Sequence, residues 1–210
     1  NFNCIIVSEL TENTEQRRLF LIMVLNDFLP IYDFNEVHSI AIQAPPERIF
    51  WALKELTPSE LSPWFRILFA IRGLPARLTD HNDQGFSPDK PLLDQLFEND
   101  FVLLSETDCE IVFGTIGQFW KLSGDQAIQI ANAQDFVEFD QPDYAKAAGN
   151  FYVSKSEDEG NFTVKTETRI QIADPKTRKK FATYWRIIYP GSAWIRRMWL
   201  KAIKRRAEQI

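Results

Sequence analysis

Residues 175–210 constrain the fold more than any other part of the chain. Apolar side chains recur there at helical spacing, and the Pro190-Gly191 pair is the one break expected in an otherwise continuous helix. Asp174-Pro175 supplies a cap and a first-turn proline, which suits a helix start. The segment carries eleven basic side chains against one acid, Glu208, and three of the six tryptophans, Trp185, Trp194 and Trp199. Ile195, Met198, Trp199 and Ala202 fall on one arc, with Arg197, Lys201, Lys204 and Arg205 opposite. A helix patterned this way needs a broad apolar surface to lie on, and the strand-like run before it is the surface this chain offers.

The charge is divided unevenly. Eleven bases and one acid put +10 on residues 175–210, so a net charge of −5 leaves −15 on the rest. A basic helix on an acidic body steers anionic partners such as nucleic acid or a lipid surface. A solvent-facing helix explains the same residues without any partner. At 210 residues, with 45% hydrophobic and 25% charged content, the chain has the size and composition of one large globular domain with or without an appendage. Seventeen Phe and six Trp supply either a dense core or an aromatic-lined cavity.

Several classes are disfavoured. Two cysteines, Cys4 and Cys109, without a ligand-like spacing do not build a disulfide scaffold or a thiolate metal site, and they suggest a reducing, cytoplasmic setting. The longest apolar run, residues 19–25 (LFLIMVL), is well short of the roughly 20 residues that span a bilayer. His38 and His81 are the only histidines, and His81-Asn82-Asp83 alone is a weak metal signal, so no metal and no cofactor is expected. No glycine-rich phosphate loop is present, and Asp108 and Glu110 beside Cys109 disfavour a reactive thiolate.

Along the chain, residues 11–29 pattern as a helix ended by Pro30, giving an N-terminal helical extension over residues 1–30 and a main domain over residues 31–210. Residues 35–43 alternate as a strand. Pro45-Pro46-Glu47 opens one helix, and the capping box Thr57-Pro58-Ser59-Glu60 opens a second, carried on to Ile71. Residues 76–100 form a long polar loop with one helical turn at 91–97. Residues 101–106 and 110–120 make a hairpin through Thr107-Asp108-Cys109, with Gly114 and Gly117 suggesting a bulge or bend. Shorter strands follow at 127–131 and 136–139. The strongest pair, 146–154 and 161–173, is joined by an acidic tip at 157–160. In the second of these, Val164, Thr166, Thr168, Ile170 and Ile172 alternate with Lys165, Glu167, Arg169 and Gln171, which predicts one packed face and one solvated face.

Residues 38–53 (HSIAIQAPPERIFWAL), 101–120 (FVLLSETDCEIVFGTIGQFW), 143–170 (DYAKAAGNFYVSKSEDEGNFTVKTETRI) and 184–208 (YWRIIYPGSAWIRRMWLKAIKRRAE) together resemble the START-like or Bet v 1-like superfamily (also SRPBCC), which includes polyketide cyclases and lipid-transfer proteins. The likeness is nearest to an uncharacterised bacterial branch and covers roughly residues 29–208. It implies an α+β helix-grip fold: a curved antiparallel sheet wrapped on a long C-terminal helix, with two short helices after the first strand and a hydrophobic ligand cavity between sheet and helix.

The candidate ligand-binding residues are Phe181, Tyr184, Trp185 and Ile188 at helical spacing, and Phe151, Thr166 and Thr168 on the packed face of the strands. Aromatics with a few hydroxyls describe a small-molecule site, and a filled core would use the same residues. The expected function is binding or transport of a hydrophobic small molecule, lipid or polyketide-like, with residues 76–100 as a lid. A cyclase- or aromatase-type enzyme would use the same cavity and would need an inward ionisable group such as Glu110, Glu167 or His38. A third reading is an interaction module on the basic C-terminal helix. Peripheral membrane contact through Trp194, Trp199 and that helix's basic face fits the pattern better than nucleic acid, for which no motif is present.

Overall fold

Strand pairing organises the chain. A computed structural model describes residues 23–61, 87–98, 101–121, 127–156 and 160–209. In chain order these hold α1 (Leu25–Phe28), β1 (Phe34–Ile42), α2 (Pro46–Lys54), a 3-10 turn (Pro58–Glu60) and α3 (Leu92–Glu98). They continue with β2 (Val102–Glu106), β3 (Glu110–Gly117), β4 (Ala127–Ile128), α4 (Ala133–Glu138), β5 (Ala145–Lys155), β6 (Phe162–Ile172) and α5 (Pro175–Glu208). The six strands form one antiparallel sheet in the order β1-β6-β5-β3-β2, with β4 beside β3. The class is α+β, a sheet packed on a long C-terminal helix, with short helices after β1.

Register sets the two faces. Opposite residues of an antiparallel pair share a face, so Phe34, Ile170, Ala147 and Thr115 form one row across four strands. The next row is Glu36, Thr168, Gly149 and Phe113, and the one after it His38, Thr166, Phe151 and Ile111. These rows face α5, which lies mainly over β1 and β6. The C-terminal half of α5 (Trp199, Leu200, Ile203) joins Phe113 and Phe151 and side chains of α2 and α3 in the largest core cluster. Its N-terminal half joins Phe181 to Ala145, Ile170 and Ile172 in a smaller one. Asp174 starts this helix: its carboxylate accepts from Thr177 N at 2.8 Å and from Asp143 N at 3.1 Å. The bonds from Thr177, backbone and hydroxyl, pull the Asp174 pKa down to about 2.

Five sequence expectations need correction. The helix does not break at Pro190-Gly191 but runs unbroken from Pro175 to Glu208. Pro190 is exposed, so the Arg186 carbonyl that loses its donor lies on the solvent side, where water can serve it. Residues 136–139 are not a strand. Asn132 caps Asp135 N at 3.0 Å and starts α4 there. The strand expected at 127–131 is confined to Ala127–Ile128. The fourth correction concerns the face of β6 expected to meet water: Glu167 is 3% and Arg169 5% exposed. That face is covered by α1, the Leu29 that follows it, and α4: Leu25, Leu29 and Phe136 pack on Leu104, Val112, Ile116 and Ala148. The fifth is the second helix, whose capping box opens only the 3-10 turn Pro58–Glu60, ended by an extended Leu61. The expected helix over residues 11–22, the second helix beyond residue 61, the loop at 76–86 with His81, and the acidic tip at 157–159 lie outside the described residues.

Gly114 explains itself on the covered face. A Cβ there would lie 2.7 Å from Phe136 Cε2 and 2.8 Å from Leu104 Cδ1. The glycine is the space into which α4 presses its phenylalanine, while the register shift lies in β2, between Leu103 and Ser105. Gly114→Val is therefore expected to destabilise by about 1–3 kcal/mol through overpacking, read as a lowered midpoint in urea unfolding.

Candidate functional site

The interface between sheet and α5 changes character along the helix. Around Trp199 it is closed: Phe151 lies 4.9 Å from the Trp199 ring and is wholly buried. Around Phe181 it is open-sided. Phe181 itself is buried, but Phe34, Phe119, Trp120, Tyr184 and Trp185 around it are only partly so. Phe34 lies 5.2 Å and Trp120 6.0 Å from the Phe181 ring, and Trp185 stacks on it at 5.9 Å. The floor below these rings is the row Phe34, Ile170, Ala147 and Thr115. Ala147 stays partly exposed although β5 is a central strand. Among the described residues the Thr115 hydroxyl, on a residue 4% exposed, has no hydrogen-bond partner, and neither has Trp199 Nε1. A buried polar atom left this way costs about 1–3 kcal/mol.

A polar band separates the two aromatic ends. Arg196, on α5, turns inward and donates to Thr166 Oγ1 at 3.2 Å and Thr168 Oγ1 at 2.5 Å. Its guanidinium lies 5.9 Å from the Phe113 ring centre, and a Cβ on Gly149 would come within 3.4 Å of Nη2. Glu36, 3% exposed, accepts from Ser192 Oγ at 2.7 Å and from His38 Nε2 at 2.7 Å. Ser192 thus gives its proton to a carboxylate and not to the imidazole, so this trio holds α5 against β1 and is no serine–histidine nucleophile pair.

The opposite face carries a second buried network. Arg169 Nε donates to Glu167 Oε1 at 2.7 Å, and Arg169 Nη1 reaches Asn26 Oδ1 at 2.7 Å and the Leu29 carbonyl at 3.1 Å. Glu110 accepts from Val24 N at 2.6 Å, Leu25 N at 3.3 Å and Asn150 Nδ2 at 2.6 Å. Asn150 Oδ1 in turn accepts from Glu167 N at 2.8 Å. Burial raises the Glu110 pKa against the pull of these bonds. Burial opposes ionisation of Glu167 too, but the hydrogen bond and charge of Arg169, with Lys165 beside it, outweigh that and hold its pKa below the ordinary value.

Six of the seven residues expected to bind ligand border the open end or the band. Phe181, Tyr184 and Trp185 form the ring cluster, Ile188 is partly exposed one turn on, and Thr166 and Thr168 hold Arg196. Phe151 lies apart, in the closed cluster. Of the groups named for an enzymatic role, Glu110 and Glu167 lie on the face away from α5, and His38 faces it. Thr115, Glu36, Ser192 and Arg196 were not expected. Glu36 is one period-2 step from His38 and was readable; the inward turn of Arg196 was hidden in a run of solvent-facing bases.

Among the described residues no group of three or more His, Cys, Asp or Glu is placed to hold a metal, and no helix is long and apolar enough to cross a membrane. A cavity of about 210 Å³ lies away from α5, at the β2 edge, lined by Phe97, Phe101, Leu103 and Ile130 among others. Cys109 lies at the β2–β3 turn with its Sγ 3.8 Å from Thr107 Oγ1; Cys4 lies outside the described residues.

No family model matches the chain, and no curated protein matches it in sequence. Among solved structures, the crystal structure of hypothetical protein jhp0584 from Helicobacter pylori aligns over 87% of this chain and 94% of its own, at 8% identity and a TM-score of 0.36. That likeness is too loose to bear on fold or function.

Arg169→Met is expected to cost about 3 kcal/mol, because it leaves the buried Glu167 carboxylate only Lys165, 3.2 Å away, and adding Glu167→Gln should recover much of the loss. Denaturant unfolding at neutral pH reads both. The folded Glu167 pKa lies below 4.5, so its stabilisation is complete above that value and disappears as pH falls through the folded pKa. Glu167→Gln should therefore flatten the acid limb of the stability curve. Glu110 acts with the opposite sign, since its raised pKa lets protonation favour the folded state as pH falls.

Proposed function

We propose that this chain binds or carries a hydrophobic small molecule between the sheet and the N-terminal half of α5. The observation that carries the reading is the open-sided ring cluster of Phe34, Trp120, Tyr184 and Trp185 above the partly exposed Ala147 and the partnerless Thr115 hydroxyl. Aromatic and aliphatic walls with a few fixed polar groups suit a lipid or polyketide-like compound. The rings would take its apolar body, and Thr115 would take one hydroxyl or carbonyl group. The closed cluster around Phe151 and Trp199 then serves as the structural end of the same interface.

A cyclase- or aromatase-type reaction is a second reading, favoured only by the pairing of partly buried His38 with buried Glu36 on the neighbouring rows. Its weakness is that Glu36 already accepts from both Ser192 and His38.

Binding of a naphthalene-sulfonate fluorescent probe, followed beside thermal unfolding, tests the reading. Trp185→Ala removes a partly buried ring and should cost about 1–2 kcal/mol of stability while weakening probe binding by about tenfold. Phe151→Leu should lower stability and leave binding by the folded protein unchanged. Parallel loss of folding and binding in both variants would return Trp185 to the core and sink the proposal.

A further inference from the structure

The face of α5 turned away from the sheet has its own pattern. Ile187 is 75% and Trp194 39% exposed, and Lys180, Arg186, Arg197 and Lys201 are exposed around them. At 3.6 residues per turn these six side chains fall within an arc of about 120° and extend along roughly 30 Å of helix. Three other bases of α5 have carboxylate partners: Arg178 with Asp33, Lys204 with Glu208 and Arg206 with Glu60. Among the described residues no ion pair engages the four bases of this stripe. The one acid of the helix, Glu208, is at its far end.

We propose that this stripe docks α5, lying in the plane of the interface, on an anionic phospholipid bilayer. Two large apolar side chains inside a basic arc are what an interfacial helix needs: the bases meet phosphate headgroups while isoleucine and tryptophan enter the acyl boundary. A nucleic-acid backbone would use the bases and leave Ile187 in water. The remainder of the chain carries −15 against +10 on residues 175–210, so an anionic surface repels the body and admits this one face, which fixes the orientation. The proposal stands on the outward face of α5 and is independent of the ligand reading.

Co-sedimentation with vesicles tests it, using phosphatidylcholine alone and phosphatidylcholine mixed with phosphatidylserine. The protein should pellet with the mixed vesicles, stay in solution with the neutral ones, and be released by high salt. Arg197→Glu combined with Lys201→Glu should lower the bound fraction by about tenfold or more. Ile187→Ser, which leaves the charge alone, should lower it by about fivefold. All three positions are exposed, and unchanged circular dichroism would verify that the variants fold. The proposal is overturned by equal pelleting with neutral vesicles, by none with mixed vesicles, or by charge variants that pellet like the parent. Salt-sensitive binding to duplex DNA that Ile187→Ser leaves intact, without vesicle binding, would overturn it in favour of a nucleic-acid partner.

Discussion

Arg169 and Glu167 sit in the middle of the sheet on the face away from α5, and the layer beneath them exists because neither can be left alone there. A buried charge is tolerated only when paired and hydrogen-bonded. Here the pair is completed by groups of the N-terminal segment, Asn26 and the Leu29 carbonyl. Glu110 makes the reciprocal arrangement by accepting from Val24 N and Leu25 N. A four-residue helix would not hold together in water. It is held because its open backbone ends are the partners that the sheet's charges require. The sheet is thereby covered on both sides, and stability that one apolar face alone would have had to supply is divided between two.

That division bears on α5. With a second layer anchoring the sheet, the helix need not be sealed along its whole length, and it is not. Its bases divide by direction: Arg196 and Arg206 turn inward, the first onto Thr166 and Thr168, the second onto Glu60 at 2.5 Å and over the Trp51 ring at 4.5 Å. Both are arginines, whose flat guanidinium can lie against a ring while donating at its edge. Lys180, Arg186, Arg197 and Lys201 remain outside.

Much of the fold was legible because it depends on local rules. Period-2 alternation placed β1, β5 and β6 within a residue or so, the proline-led starts located α2 and α5, and Thr107-Asp108-Cys109 gave the hairpin. What failed was decided at a distance. The 136–139 strand was lost to an asparagine cap four residues upstream. The helix survived Pro190 because the affected carbonyl faces water. Lys165, Glu167, Arg169 and Gln171 follow the pattern of a solvated face, and only the arrival of residues 23–29 from far along the chain buries the middle two. The site was half readable for the same reason: spacing identified Phe181, Tyr184 and Trp185, whereas Thr115 and Ala147 join them only through strand pairing.

The two halves of α5 differ in a way that ties the ligand reading to the outward face. From Trp199 onward the inward side chains are closed in by α2 and α3. From Phe181 to Ser192 they are partly open, and Ile187 lies on the back of those same turns. Near the end of the open half, Pro190 leaves one helical hydrogen bond unmade, so bending costs least at that point. On the membrane-docking proposal, a surface drawing Ile187 outward would act on the half of the helix that roofs the ring cluster, while the Trp199 end would stay fixed to the core. Opening that end needs no disruption of the Arg169 network, which lies on the other side of the sheet. The parts of the molecule that must stay folded are thus separate from the part that would have to move.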